Sequence, residues 1–194
     1  MPTLIATGSQ TIGPFFKEGL KRPAWADLTR DGAEGETVRI EGTVYDGDHV
    51  GVPDALIEIW QADANGHYAH PEDGRSAPGA RRFRGFGRAC TEPDGRFWFK
   101  TIVPGPVPGL GGAPQAPHLE VTVFARGLLK RLVTRIYFGD HPAENAADPL
   151  LSSIADETAR GTLIAQRSEH PGGIPVYRFD IVLQGEGETA FLDI

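Results

Sequence analysis

His118 and Glu120 stand two residues apart in the stretch QAPHLEVTVFARG, residues 115–127, and both side chains belong to types that ligate metals. The stretch reads as a strand, and residues two apart on a strand point the same way. His118 and Glu120 therefore share one face, and Leu119, Val121 and Val123 share the other. The pair fits two ligands supplied by one strand, and it fits equally a polar face turned to solvent or a partner. Upstream, DANGHYAH places Tyr68 in a loop with His67 and His70 nearby. A tyrosinate ligand requires an ion charged strongly enough to overcome a hydroxyl pKa of about 10, as ferric iron does. An aromatic lid over one end of the domain would use the same residues.

Arg126 directly follows the apolar run VTVFA and precedes Gly127. A guanidinium at such a rim matches a carboxylate through two parallel hydrogen bonds, although a surface ion pair accounts for it as well. RRFRGFGR carries four arginines, Arg81, Arg82, Arg84 and Arg88, in an otherwise acidic chain. That run fits an anion or subunit site, or a charged edge strand that discourages aggregation. Cys90 is the only cysteine, so no intrachain disulfide can form, and a small buried apolar role is expected of it. No G-x-S-x-G elbow, P-loop or G-x-G-x-x-G fingerprint occurs, which leaves hydrolase and nucleotide chemistry without a foothold.

The elements that must position these residues read as short strands. TVRIEGTVYD alternates apolar and polar residues and ALIEIWQAD does so again in a more apolar run; with the turn residues DGDHVGVPD between them, they read as an antiparallel pair. EPDG is a turn signal, and RFWFKTIV after it reads as an aromatic-rich strand. Residues 104–117, PGPVPGLGGAPQAP, are too rich in proline and glycine for regular structure and read as a long functional or interface loop. The strand 117–125 follows, then RLVTRIYF, then DPLLSSIADE as one short helix with Asp148 as N-cap and Pro149 at its first position. VYRFDIVLQG closes the series. Seven or more short strands, one minor helix and no internal repeat predict a mainly β protein, a β-sandwich with mixed strands. Residues 1–36 read as an N-terminal arm and link, and residues 37–194 as a single sandwich domain.

A chain of 194 residues suffices for one sizeable core. A net charge of −7 argues against a nucleic-acid or anionic-membrane surface, each of which needs a broad basic face. MPTLIATGSQ has no basic leader region, and no stretch approaches ~20 consecutive apolar residues. A cytoplasmic protein is expected.

Several stretches together resemble the intradiol ring-cleaving dioxygenases: SQTIGPFF, IEIWQADANGHY, FGRACTEPDGRFWFKTIVPG, APHLEVTVFARG, TRIYF and YRFDIVLQGEGETAFLDI, in order from Ser9 to Ile194. The resemblance implies a transthyretin-like sandwich. It also implies chemistry: catalytic chains of the family hold a non-haem ferric ion with two tyrosines and two histidines. Tyr68 and His118 match one position of each kind, whereas Val107 and Glu120 stand at the other two. The resemblance therefore implies no metal in this chain and Fe(3+) in a partner, the iron-binding beta chain that pairs with an alpha chain in two-chain members of the family. It further implies that Thr11, Gly13 and Pro14 of the arm approach a small aromatic substrate at the interface, and that Arg126 lies near the carboxylate on its ring. Two rival expectations are a self-sufficient dioxygenase using Tyr68, His118 and Glu120, and a non-catalytic transthyretin-like binding module.

Overall fold

The computed structural model describes residues 7–75, 83–168 and 173–193; Arg81 and Arg82 of the arginine run, the first six residues and Ile194 lie outside the described residues. The alternation read from TVRIEGTVY becomes β1, Thr37–Tyr45, with Val38, Ile40, Gly42 and Val44 turned inward. It runs antiparallel to β4, Arg96–Ile102, and parallel to β10, Val176–Arg178, and β11, Ile181–Val182. A second layer orders β3, Phe86–Cys90, next to β2, Leu56–Trp60, then β7, His118–Phe124, and β8, Leu132–Phe138, all antiparallel neighbours. The layers meet at β9, Ile164–Ser168. Its Ile164 and Ala165 pair in parallel with β8, and its Gln166 to Ser168 pair antiparallel with β10. One strand thus belongs to both sheets and closes one side of a mixed-strand sandwich.

Between the layers Val38, Ile40, Val44 and Phe99 meet Ile57, Ile59, Leu119, Val121, Val123 and Ile136 in one continuous core. The expected mainly β fold is present, and four details differ from the expectation. First, β1 and β2 are not paired. The 46–55 connection folds on itself, with the Asp46 carboxylate accepting from the amides of Asp48 and Val50 and Val52 donating back to Val44, and it carries the chain into the other sheet. Alternation specifies which face of a strand is buried and leaves its partner open. Second, the arm is partly helical: α1 spans Phe15–Leu20, a 3-10 turn spans Pro23–Ala26, and Ala26 and Leu28 enter the core. Third, α2, Pro142–Ala147, and α4, Glu157–Gly161, flank the expected helix, here α3, Pro149–Ser153. Fourth, residues 104–117 contain a two-residue ladder of β5, Val107–Pro108, with β6, Pro114–Gln115. The EPDG turn forms as read, with Gly95 at φ +83° where its backbone crowds Gly51 and Val52. Among the described residues no helix is long and apolar enough to cross a membrane.

Asp148 caps α3 as its spacing predicts, accepting from the amides of Leu150 and Leu151 at 2.9 and 3.0 Å. It does more than cap, because it is wholly buried and also accepts from the Ala116 amide at 2.8 Å and the Tyr137 hydroxyl at 3.1 Å. Removing it strands several buried donors. Asp148→Ala is expected to lower unfolding free energy by about 3 kcal/mol, combining a lost cap with unpaired buried donors. Asp148→Asn, which keeps a capping oxygen, is expected to lose about 1 kcal/mol. Urea denaturation at neutral pH distinguishes these values.

Candidate functional site

The WQADANGHY loop is built to present Tyr68. Asp63 accepts from the amides of Asn65 and His67 at 2.9 Å each, an Asx-type turn, and its carbonyl accepts from the amides of Gly66 and Gly105. Gly66, at φ +76°, lies so close to Pro106 that a Cβ would stand 2.1 Å from the Pro106 carbonyl oxygen. The loop therefore packs directly on the segment carrying Val107. The Tyr68 ring stacks on Trp60 with centroids 5.9 Å apart and planes 9° from parallel, and its amide donates to Asp73, itself held by Arg75. A cavity of about 480 Å³ opens here, lined by Trp60, Tyr68, His70, Arg75, Val107 and Pro108 among others.

His118 and Glu120 approach the same region from β7. His118 is buried, and its Nδ1 lies 2.7 Å from the Ala116 carbonyl, an acceptor only, so Nδ1 carries the proton. Nε2 is left facing Glu120 Oε1 at 3.7 Å. Glu120 lies directly opposite Arg135 of β8, and its Oε1 accepts from Arg135 Nη2 at 2.6 Å. Arg135 Nη1 donates to Gln115 at 2.7 Å and to the Tyr137 hydroxyl at 3.1 Å. Glu120 Oε2 and Arg135 Nε are buried with no hydrogen-bond partner. Burial alone would raise the Glu120 pKa, but the His118 and Arg135 contacts outweigh it and hold the carboxyl below its ordinary value. Burial, and then the Glu120 charge, push the Tyr68 hydroxyl above its ordinary value, which opposes a free tyrosinate.

Of the four positions that the resemblance picks out, Tyr68 and Val107 line one cavity, whereas His118 and Glu120 face one another on β7 and Glu120 is held in a salt bridge. Val107 is buried and offers no donor atom. Among the described residues no group of three or more His, Cys, Asp or Glu side chains is placed to hold a metal. Sequence reasoning missed Arg135 and Gln115, and it read Asp148 as a cap without its bonds to Ala116 and Tyr137. A signal existed for the first: Arg135 and Glu120 each interrupt an apolar strand, and buried charges are paired.

The other predicted residues assemble elsewhere. Thr11 Oγ1 accepts from the Gly127 amide at 2.8 Å, and Arg126 forms an ion pair with Asp54. The Phe16 ring packs on Phe124 at 5.4 Å, and Lys17 Nζ donates to the carbonyls of Pro53 and Thr91 at 2.6 and 2.7 Å. Gly13 and Pro14 lie exposed in the arm between these anchors. Both of the alternatives left open for Arg126 bear on this result, because the surface pair is formed while the side chain stays 58% exposed. The arm and Arg126 gather beyond the Phe124 end of β7, whereas His118 begins that strand. Six residue steps at ~3.4 Å put about 20 Å between the two groups.

This is a mixed β-sandwich with an aromatic-lined cavity near one end of a central strand and an anchored arm at the other. A family model described as dioxygenase matches residues 12–185, and the chain belongs to the intradiol ring-cleavage dioxygenases. The alpha chain of protocatechuate 3,4-dioxygenase from Pseudomonas putida is 42% identical over 201 residues, covering 98% of this chain and 97% of that one. The beta chain of protocatechuate 3,4-dioxygenase from Burkholderia cepacia is 37% identical over 193 residues, covering 94% and 77%. The solved dioxygenase domain of a dioxygenase–carbohydrate-binding fusion from Streptomyces sp. SirexAA-E aligns with a TM-score of 0.59 at 26% identity, covering 95% of this chain and 99% of that one.

Glu120→Ala leaves the Arg135 guanidinium buried without its counter-ion and is expected to cost about 3 kcal/mol. The pH dependence follows from the lowered carboxyl. Its contribution is full above the ordinary value of 4.5 and is lost as pH falls through the lower folded value. Between pH 7 and pH 3, wild type should lose more stability than Glu120→Gln, as read from urea midpoints. Parallel curves would remove Glu120 from the acid transition.

Proposed function

We propose that this chain is the non-iron alpha subunit of a protocatechuate 3,4-dioxygenase, working as a cytoplasmic hetero-oligomer with a beta chain that holds the Fe(3+). The assembled enzyme adds both atoms of O2 to 3,4-dihydroxybenzoate and cleaves the ring between the hydroxyls, giving 3-carboxy-cis,cis-muconate. The observation that carries this reading is the separation along β7. Thr11, Gly13, Pro14 and Arg126 lie at the opposite end of the strand from this chain's own Tyr68, Val107, His118 and Glu120 positions. A substrate touching the arm is then held at a metal in another chain. The residues at the ligand positions do not fit a ferric ion: Val107 cannot ligate and Glu120 is engaged by Arg135. The same engagement counts against a self-sufficient Tyr68, His118 and Glu120 site.

On this reading the chain shapes the partner's pocket. The arm supplies a polar hydroxyl at Thr11 and close backbone approach at Gly13 and Pro14, and Arg126 supplies positive charge for the ring carboxylate. Anchoring by Lys17, Phe16 and Thr11 fixes the arm before substrate arrives, so little ordering cost falls on binding.

Purified alone, the chain is expected to be colourless, free of iron and inactive; co-expressed with a beta chain it should give the tyrosinate-to-iron colour and ring cleavage. Stoichiometric iron in the isolated chain would overturn the assignment. In the assembled enzyme Arg126→Ala is expected to lower kcat/KM for 3,4-dihydroxybenzoate by about 1.5 to 3 kcal/mol, with a smaller loss for catechol, which lacks the carboxylate. Equal losses on both substrates would take Arg126 away from the carboxylate.

A further inference from the structure

Arg135 stands opposite Glu120 across the β7–β8 ladder. It bonds Glu120 directly at 2.6 Å. Through Nη1 it bonds Gln115, the residue paired in register with Val107. The same Nη1 bonds the hydroxyl of Tyr137, the residue opposite His118. One side chain on β8 therefore bonds one of the four positions directly and the strand partners of two others.

We infer that the Arg135 guanidinium takes the place of a metal ion in this chain, so that the site excludes iron by an occupying cation as well as by missing ligands. The inference rests on the reading of Tyr68, Val107, His118 and Glu120 as the ligand positions. A guanidinium, like a ferric ion, is a positively charged partner for anionic oxygen, so the two would compete for the Glu120 carboxylate. The packing is consistent with such a replacement. Glu120 Oε2 and Arg135 Nε are buried and make no hydrogen bond, so the two charges neutralise one another without completing a network. Asp148, which could have served as a second carboxylate for Arg135, is instead spent on Tyr137, Ala116 and α3.

The consequence is that restoring ligands should not restore metal. In the full chain, the variant Val107→Tyr with Glu120→His supplies two tyrosines and two histidines while keeping Arg135. It is expected to bind less than a tenth of an equivalent of iron by elemental analysis and to show no tyrosinate-to-iron band. Adding Arg135→Leu is expected to raise bound iron at least fivefold, produce the band, and make the melting temperature rise on adding ferric or zinc ions. Folding is checked independently by the pair Glu120→Met with Arg135→Leu, expected to keep the wild-type circular dichroism spectrum and melt no lower than Glu120→Met alone. Iron bound equally well by the double and triple variants would overturn the inference, as would a folded triple variant that stays metal-free. An Arg135→Leu change that further destabilises Glu120→Met would also overturn it, since the guanidinium would then be stabilising the fold without its counter-ion. Iron in the unmodified chain is a different result, and it would sink the functional reading itself.

Discussion

A carboxylate on the inner part of a strand has to be neutralised, and much of one end of this molecule is arranged around that need. Glu120 is met by Arg135 across the β7–β8 ladder, Arg135 is steadied by Gln115 and Tyr137, and Tyr137 donates to Asp148. Asp148 then ties in Ala116 and the first turn of α3. The chain of contacts links two strands, the 104–117 segment and the helical connection. Each link satisfies a buried polar group that would otherwise cost free energy comparable to a lost hydrogen bond.

β7 separates two kinds of work. Its first residues carry His118 and Glu120, the latter in a salt bridge, and its far end carries the turn against which the arm is anchored. Because a strand is stiff and rises by a fixed amount per residue, the two regions cannot be brought together by side-chain motion. The arm between its anchors is exposed at Gly13 and Pro14. The sandwich itself is held in register by β9, whose two halves belong to different sheets. The Tyr177 hydroxyl, donating to Asp140 and contacted by Arg167, reinforces that seam beside Phe138.

How much of this could be read beforehand differs from element to element. The alternation of β1 gave its buried face correctly, and Asp148 with Pro149 marked the start of α3 to the residue. The pairing of β1 with β2 was misread because a polar connection of ten residues suits a hairpin and a sheet-to-sheet crossing equally; Asp46 and Val52 decide between them by closing the turn locally. The partial helix in the arm escaped notice since PFFKEGL is short and carries no capping side chain, and it is held by Phe16 and Lys17 contacts with distant strands. Arg135 is one polar residue within an apolar run, and only strand pairing places it opposite Glu120.

By itself the sequence determined the mainly β class, the loop that presents Tyr68, the presence of valine and glutamate at positions 107 and 120, and the family. These are properties of residue identity and local spacing, and they survive without knowledge of what lies opposite. Only the tertiary structure decided that Glu120 faces Arg135, that Asp54 faces Arg126, and that the arm and the ligand positions occupy opposite ends of one strand. Those facts depend on which strands become neighbours and in what register, and register is set by the packing of whole faces across the core, a sum over residues far apart in the chain.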